Sequence, residues 1–285
     1  MRPAIRAPLL MLAAALSFSV MGLLVKLVGQ QVPALEAVCV RSLVTFVIIS
    51  ALAWRGRVPL RGRRPGLLLL RALAGTFAII LLFWALARLP VADAMLLNQA
   101  TPVFVLPLAA IFLGERLRPA AVALALGALL GAVLVIRPSG SVVNVAGLVA
   151  LGSAGFAAIA YVLLRRLAPF EHAVTIVFWY ACVSTLLPIP LMLPGFVWPS
   201  ATVWLTLVGV GAMATSGQLL LTAAYRHGEA GRLAVIGSTG ALFGAAWDLV
   251  FFGHVPGLLT AAGAVLLLAC SAAMQWRPRD VPKVP

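Results

Sequence analysis

The sequence is dominated by apolar runs, each about as long as a membrane-spanning helix and separated by short polar or Pro- and Gly-containing segments. A helix needs about 20 residues to cross the hydrocarbon core of a bilayer. Ten runs occur, at roughly residues 8–29, 34–54, 66–87, 91–113, 119–136, 145–166, 172–193, 202–224, 231–252 and 257–276. Strand-type alternation is absent, and an open strand cannot satisfy its backbone in lipid. We therefore predict an all-α membrane protein with ten transmembrane helices.

The composition excludes an ordinary water-soluble fold. The chain is 63% hydrophobic and 10% charged, whereas soluble domains are about half apolar and a quarter charged. The first apolar run follows basic residues, as in a secretory signal, but it is longer than the roughly 7–15 residues of a signal's apolar region. We interpret it as the first transmembrane helix, and the short loops leave no room for a soluble domain.

The excess of positive charge reports on topology. Lys and Arg number 21 against 7 Asp and Glu, a net charge of +14. In a soluble chain this balance would suggest a nucleic-acid partner, but cytoplasmic loops of membrane proteins carry excess Lys and Arg. With a cytoplasmic N-terminus, 17 of the 21 cations, Arg71 among them, fall on the inner side, leaving Lys26, Arg41, Arg88 and Arg137. We predict cytoplasmic termini and no nucleic-acid partner.

The chain also shows signs of an internal repeat. A shift of 139 residues superposes Gly114 on Gly253 and Thr76 on Thr215, with further matches between phenylalanines. Chance similarity between apolar helices is the alternative explanation. Five spans per repeat is an odd number, so the second copy must be inverted across the membrane, which places a shared site near the midplane between the halves. The predicted repeats are residues 1–139 and 140–285.

Polar residues near the middle of the fourth run are the first candidates for a binding site. Asn98 and Gln99 lie about 10 Å deep, beside Pro102 and Pro107, which free backbone carbonyls that only a wet cavity or protein partner tolerates. The repeat shift sends them to Gly237 and Ser238, so we predict that Asn98, Gln99 and Ser238 line one cavity. Hydrogen bonding between helices is the alternative. Gln218, in the eighth run, is similarly deep, and for it a substrate role and a hydrogen bond between helices are both open.

Arg41 and Asp248 are candidate charged site residues. Arg41 lies about seven residues into the second run, where a cation is costly enough to suggest a function. Snorkelling to the membrane surface is the alternative. Asp248, near the outer end of the ninth run, is the predicted partner of Arg41 or a second charged group for a substrate.

Enzyme chemistry has little support in the sequence. The three histidines are scattered over loop ends, and Cys39, Cys182 and Cys270 lie within apolar runs. We therefore predict no metal site, disulfide, catalytic residue or cofactor. The absence of a nucleotide-binding loop also argues against an ATP-driven pump.

The segment FWALARLPVADAMLLNQATPVFVLPLAAIFLGERLRP, followed by a Gly-rich span ending in VLVI, resembles the EamA-type families of the drug/metabolite transporter superfamily. QLLLTAAYRHGEAGRLAV and FFGHVPG resemble the same motif in the second half, with Ala241 and Gly253-His254 departing from its proline and LGE. The resemblance implies two inverted five-helix repeats and a carrier of small metabolites. It also implies that the third and sixth spans surround the cavity, which makes Trp84 and Tyr161 candidate substrate contacts; an interfacial aromatic belt is the alternative.

These observations predict a multi-pass secondary transporter of a bacterial-type inner membrane, working by alternating access. Because Arg41 and Asp248 have opposite charges, an amphoteric substrate of amino-acid or S-adenosylmethionine type is the first expectation. A nucleotide-sugar or purine-like substrate is the alternative, and a membrane scaffold is a more remote one. The residues leave open the direction of transport, proton coupling and the oligomeric state.

Overall fold

The structure is a computed structural model that describes residues 3–29, 31–56, 58–113, 119–136, 145–167, 170–227, 236–237, 239–255 and 257–276. Every regular element among these residues is helical. In chain order the helices are α1 (Pro3–Val28), α2 (Ala34–Gly56), α3 (Pro65–Leu86), α4 (Val91–Asn98), α5 (Thr101–Leu113), α6 (Pro119–Ile136), α7 (Val145–Leu167), α8 (Ala173–Leu186), α9 (Ile189–Met192), α10 (Ala201–His227), α11 (Thr239–Phe252) and α12 (Leu258–Trp276). The prediction of an all-helical chain is confirmed.

Six segments in the described part of the chain are long and apolar enough to cross a membrane, by length and composition. They are Ala7–Val28, Ala34–Gly56, Pro65–Leu86, Val145–Leu164, Ala173–Gly195 and Ala201–Leu221. Shorter apolar helices cover Val122–Leu134, Thr239–Phe252 and Leu258–Cys270. Exposed apolar side chains such as Leu126 and Val250 lie on the outside of these helices. Such surface is unfavourable in water and is suited to contact with lipid tails.

The fourth apolar run does not form one continuous helix. α4 ends at Asn98 and α5 begins at Thr101, with a turn at Gln99 and Ala100. Pro102 lies in the first turn of α5, where its lack of an N–H is tolerated because that donor has no partner inside the helix. The predicted polar pair therefore lies at a break between two helices.

The helices pack in pairs that join the two halves of the chain. α1 packs along α10, α3 along α7, α6 along α12, α2 along α8 and α4 along α11. The main apolar core lies between these pairs and includes Phe83, Leu86, Leu97 and Leu207, all fully buried. Each pair thus brings residues from the first half of the sequence against residues from the second half.

Candidate functional site

The break in the fourth run is held by two side-chain amides that reach across the bundle. Asn98 donates from Nδ2 to Ser153 Oγ at 3.1 Å, and Ser153 Oγ donates to the carbonyl of Ala78 at 2.9 Å. Gln99 donates from Nε2 to the carbonyl of Gly237 at 3.1 Å. Both amides are half-buried. The break therefore connects α4 with α3, α7 and the residues before α11, and Ser238, the predicted third member, lies outside the described residues.

Arg41 points into the protein. It is 1% exposed and donates from Nη1 to the hydroxyl of Tyr180 on α8 at 3.1 Å. Its guanidinium carbon lies 5.5 Å from the centroid of the Tyr180 ring. A snorkelling arginine would place this group at the membrane surface. The burial of Arg41 and its hydrogen bond to α8 instead place the guanidinium inside the bundle.

Arg71 shares the same tyrosine. It lies six residues into α3, which begins at Pro65, and is 7% exposed. Its guanidinium carbon lies 4.8 Å from the Tyr180 ring centroid, close enough for a cation–π interaction. Arg71 counts among the cations predicted for the inner side, and the structure adds that its side chain is buried in the protein. The signal was its position one and a half turns inside an apolar run.

Asp248 does not pair with Arg41, contrary to our expectation. Its two carboxylate oxygens accept hydrogen bonds from the backbone N–H groups of Val91, at 3.0 Å, and Ala92, at 2.7 Å. Asp248 therefore caps the N-terminus of α4 from a neighbouring helix, although it lies 157 residues from Val91 in sequence. A carboxylate is favourable there because the first N–H groups of a helix have no partners within it.

Lys26 belongs to the same outer cluster. Its ammonium donates a hydrogen bond to the carbonyl of Leu89, just before α4, and interacts electrostatically with Asp248 and Asp93. α1, α4 and α11 are thus joined by charged groups where we predict the outer end of the bundle. Asp248 and Lys26 therefore both bind the backbone at the start of α4.

The remaining predicted residues lie in different surroundings. Trp84 is half-buried, and the guanidinium carbon of Arg88 lies 3.8 Å from its ring centroid. Tyr161 is 43% exposed and interacts electrostatically with Arg71. Gln218 is half-buried on α10 and has an interaction partner. Of these three, Tyr161 lies close to the Arg41, Tyr180 and Arg71 group.

A shallow cavity of about 320 Å³ lies between α5 and α7, apart from these charged residues. It is lined by apolar side chains and glycines, including Phe104, Pro107, Phe156 and Ile159. A polar metabolite would find no charged partner there, whereas a lipid tail would fit its chemistry. We place the candidate site at the polar residues in the bundle rather than in this apolar cavity.

The chain is similar to proteins of a known family. The sequence profile of the EamA-like transporter family matches the chain twice, over residues 5–137 and 144–274. The chain belongs to this family. It carries two copies of the EamA domain, and the resemblance drawn from its motifs is confirmed.

Named relatives of this EamA protein are transporters. It is 39% identical to the pseudopaline exporter of Pseudomonas aeruginosa over 93% of this chain and 94% of that protein. It is 28% identical to human solute carrier family 35 member G1 over 90% of this chain and 75% of that protein. With a riboflavin transporter of Vibrio cholerae the identity is 26%, over 94% and 93% of the two chains. These names indicate a metabolite transporter in general, and not an enzyme.

A solved crystal structure shares the fold of this EamA protein. The two superpose with a TM-score of 0.67, over 94% of this chain and 95% of the other, at 24% identity. At that identity the likeness shows the fold alone. Together with the apolar helices, the family membership makes this chain a multi-pass membrane protein.

Arg41 and Tyr180 are separated by the same number of residues as the starts of the two EamA copies. The two positions lie 139 residues apart, and the copies begin at the same spacing, at residues 5 and 144. Arg41 lies in α2 and Tyr180 lies in α8. Because arginine and tyrosine differ chemically, residue type gives no signal that connects the two positions. Only the 139-residue shift, applied to Arg41, points to Tyr180 in the sequence.

Proposed function

We propose that this EamA protein is a secondary transporter that moves a small polar metabolite across a bacterial inner membrane by alternating access. The observation that carries the proposal is the broken fourth span, where Asn98 and Gln99 contact Ser153 and Gly237 in the second EamA copy. Discontinuous helices at the interface of two repeats are where carriers of this general design bind their substrates. Alternating access would rearrange the same interface.

The pairing of the helices supports two inverted five-helix repeats with cytoplasmic termini. Under the 139-residue shift, the pair α1 and α10 exchanges with the pair α3 and α7, while α2 with α8 and α6 with α12 map onto themselves. Such an exchange is the pattern of a pseudo-two-fold axis. With five spans in each copy, ten in all, the axis would lie in the membrane plane. The repeats 1–139 and 140–285 remain our proposed division.

The charge distribution changes the expected substrate class. The amphoteric prediction depended on Arg41 and Asp248 facing the same space, but Asp248 caps α4. A cationic S-adenosylmethionine-like substrate thereby loses its carboxylate partner. Arg88 lies over one face of the Trp84 ring, so a purine-like or nucleotide-sugar substrate could stack on that face only by displacing Arg88. We therefore favour a polar metabolite held by Arg41, with export as the direction and a pseudopaline-related compound as first candidate, by similarity to the 39% identical relative.

Reconstitution into liposomes tests the transport proposal. Vesicles loaded with a bacterial metabolite extract should release specific metabolites, measured by mass spectrometry, only when they contain the protein. Gln99→Leu removes the amide at the break and should abolish that release, whereas Gln31→Leu, at an exposed position outside the bundle, should not. Equal release from Gln99→Leu vesicles would contradict the proposed site, and no protein-dependent release of any metabolite would contradict transport.

Cysteine labelling separates a cavity from simple contact between helices. In a background without Cys39, Cys182 and Cys270, cysteines at positions 99 and 238 should react with small polar thiol reagents. Hydrogen bonds that only join helices would leave both positions dry. Unreactive cysteines at both positions, in protein that still transports, would therefore favour the packing alternative for Asn98, Gln99 and Ser238.

A further inference from the structure

Two buried arginines, one on α2 and one on α3, have donors without hydrogen-bond partners. Arg41 Nε, Arg71 Nε and Arg71 Nη1 are buried, and none of them donates a hydrogen bond. The contact of Arg71 with Tyr180 is through the ring. Each unpaired guanidinium donor in such a place costs free energy. Among the described residues these donors have no acceptor, so they are available to one from outside the protein.

The two charges also act on each other. Their guanidinium carbons lie 5.5 and 4.8 Å from the centroid of the same Tyr180 ring, which brings two like charges close to each other. Two like charges removed from water are unfavourable, because each loses its hydration and gains the repulsion of the other. The protein would be stabilised by an anion that touches both.

The described acidic residues are engaged elsewhere. Asp248 caps α4, Asp93 lies in the Lys26 cluster, and Glu171 accepts from the backbone N–H groups of Arg63 and Arg64. Glu36 is buried five residues before Arg41; its Oε2 accepts a hydrogen bond from the backbone N–H of Val197, and its Oε1 has no hydrogen-bond partner among the described residues. A separation of five residues turns a side chain about 140° around a helix. Within the described residues, neither Arg41 nor Arg71 has a carboxylate partner.

The positions of the two arginines suit a substrate site. Arg41 lies seven residues into α2, from the end at Ala34, and Arg71 lies six residues into α3, from the end at Pro65. At 1.5 Å per residue each is about 10 Å from a helix end, and those ends face opposite sides of the membrane in the proposed topology. Ala78, which anchors the chain of hydrogen bonds to Asn98, lies two turns beyond Arg71 on α3.

We propose that Arg41 and Arg71 together bind the substrate through two or more acidic oxyanion groups, with Tyr180 positioning both guanidinium groups. This inference rests on the proposed transport function and names its substrate class as multiply anionic. Arginine suits the task because its planar donors match carboxylate and phosphate oxygens in pairs. Carboxylates and phosphates share this chemistry, and the experiment distinguishes them.

The first test measures thermal stability of the purified protein with defined probes. Citrate represents carboxylates, fructose 1,6-bisphosphate represents phosphates, and fructose and putrescine are the neutral and cationic controls, all at matched ionic strength. A ligand that binds only the folded state raises the Tm. We expect citrate or fructose 1,6-bisphosphate to raise the Tm, with the larger rise identifying the oxyanion, and the controls to have no effect. If neither oxyanion raises the Tm, the proposal is overturned.

Variants then assign the binding to the two arginines. Arg41→Gln and Arg71→Gln should each weaken binding of the oxyanion probe at least about tenfold, the loss expected for a charged hydrogen-bonding group. Arg71→Lys, which retains the charge but loses the planar fork, should also weaken it. Arg55→Gln, an exposed arginine on the same helix as Arg41, is the matched control and should leave affinity unchanged. Wild-type affinity in both Gln variants overturns the proposal.

Stability without ligand distinguishes a binding role from a structural one. Removing an uncompensated buried charge should leave the ligand-free Tm of Arg71→Gln equal to or above that of the wild type, whereas loss of a structural contact would lower it. A lowered ligand-free Tm in both Gln variants, with unchanged probe affinity in Arg71→Lys, would overturn the proposal. If the oxyanion binds through both arginines but no metabolite crosses liposomes, transport fails and this site stands. If metabolites cross the liposomes equally well with wild-type protein and with both Gln variants, transport stands and the proposed arginine site fails.

Discussion

Tyr180 contacts both of the buried arginines. Its hydroxyl accepts a hydrogen bond from Arg41, and its ring lies beside both Arg41 and Arg71. Gly75 permits this arrangement, since a Cβ at that position would come within 3.0 Å of the Tyr180 ring. One aromatic residue from the second EamA copy thus contacts arginines of two helices in the first.

Tyr180→Phe would keep the ring contacts and remove the hydroxyl. Because Arg41 Nη1 would lose its acceptor, we expect destabilisation of about 1–3 kcal/mol, measured as a lower Tm, and severalfold weaker binding of the oxyanion probe. Ser17→Ala on α1, whose hydroxyl donates to the carbonyl of Ala13, is the control and should leave probe binding unchanged. Unaltered stability and binding in Tyr180→Phe would show that the hydroxyl does not position Arg41.

At the scale of elements, α4 depends on a cap from α11. Asp248→Ala would leave the N–H groups of Val91 and Ala92 without an acceptor in a buried place. Loss of a helix cap costs about 1–2 kcal/mol, so we expect a lower Tm, with Asp248→Asn showing a smaller fall because one acceptor remains. His254→Gln, at an exposed position close by, is the control. A Tm unchanged in Asp248→Ala would mean that water replaces the carboxylate.

The contact between α6 and α12 depends on a glycine. A Cβ on Gly131 would lie 2.6 Å from the backbone nitrogen of Leu267 and 2.7 Å from the carbonyl oxygen of Gly263. Small residues allow such close approach of helices in membranes. Gly131→Ala should therefore separate the helices and lower the Tm, while Gly66→Ala, with no atom within 4 Å of the added Cβ, should not. Equal Tm values for the two variants would contradict this packing.

The whole molecule is expected to have both termini in the cytoplasm. In a cysteine-free background, Arg61→Cys, in the exposed segment between α2 and α3, should be labelled only from the cytoplasmic side. Gly195→Cys, exposed between α9 and α10, should be labelled only from outside. The expectation follows from the 17 to 4 division of the cations. Labelling of both cysteines from one side would overturn the topology and the inverted repeat with it.

The sequence by itself determined the helical membrane class and the family. Apolar runs and turn residues are local, so α6, expected at 119–136, is observed at Pro119–Ile136, and α2 differs only at its end. The family motifs are also contiguous along the chain. Both features can be recognised without knowing which helices are neighbours.

Only the tertiary structure decided how the buried charges are satisfied. Asp248 pairs with α4 rather than Arg41, Arg71 lies inside the bundle, and Tyr180 joins the two arginines across 139 residues of sequence. The physical reason is that desolvation and pairing depend on atoms within a few ångströms in space, which helix packing brings from distant parts of the chain. A charge in an apolar run therefore signals a constraint, and its partner is set by the fold.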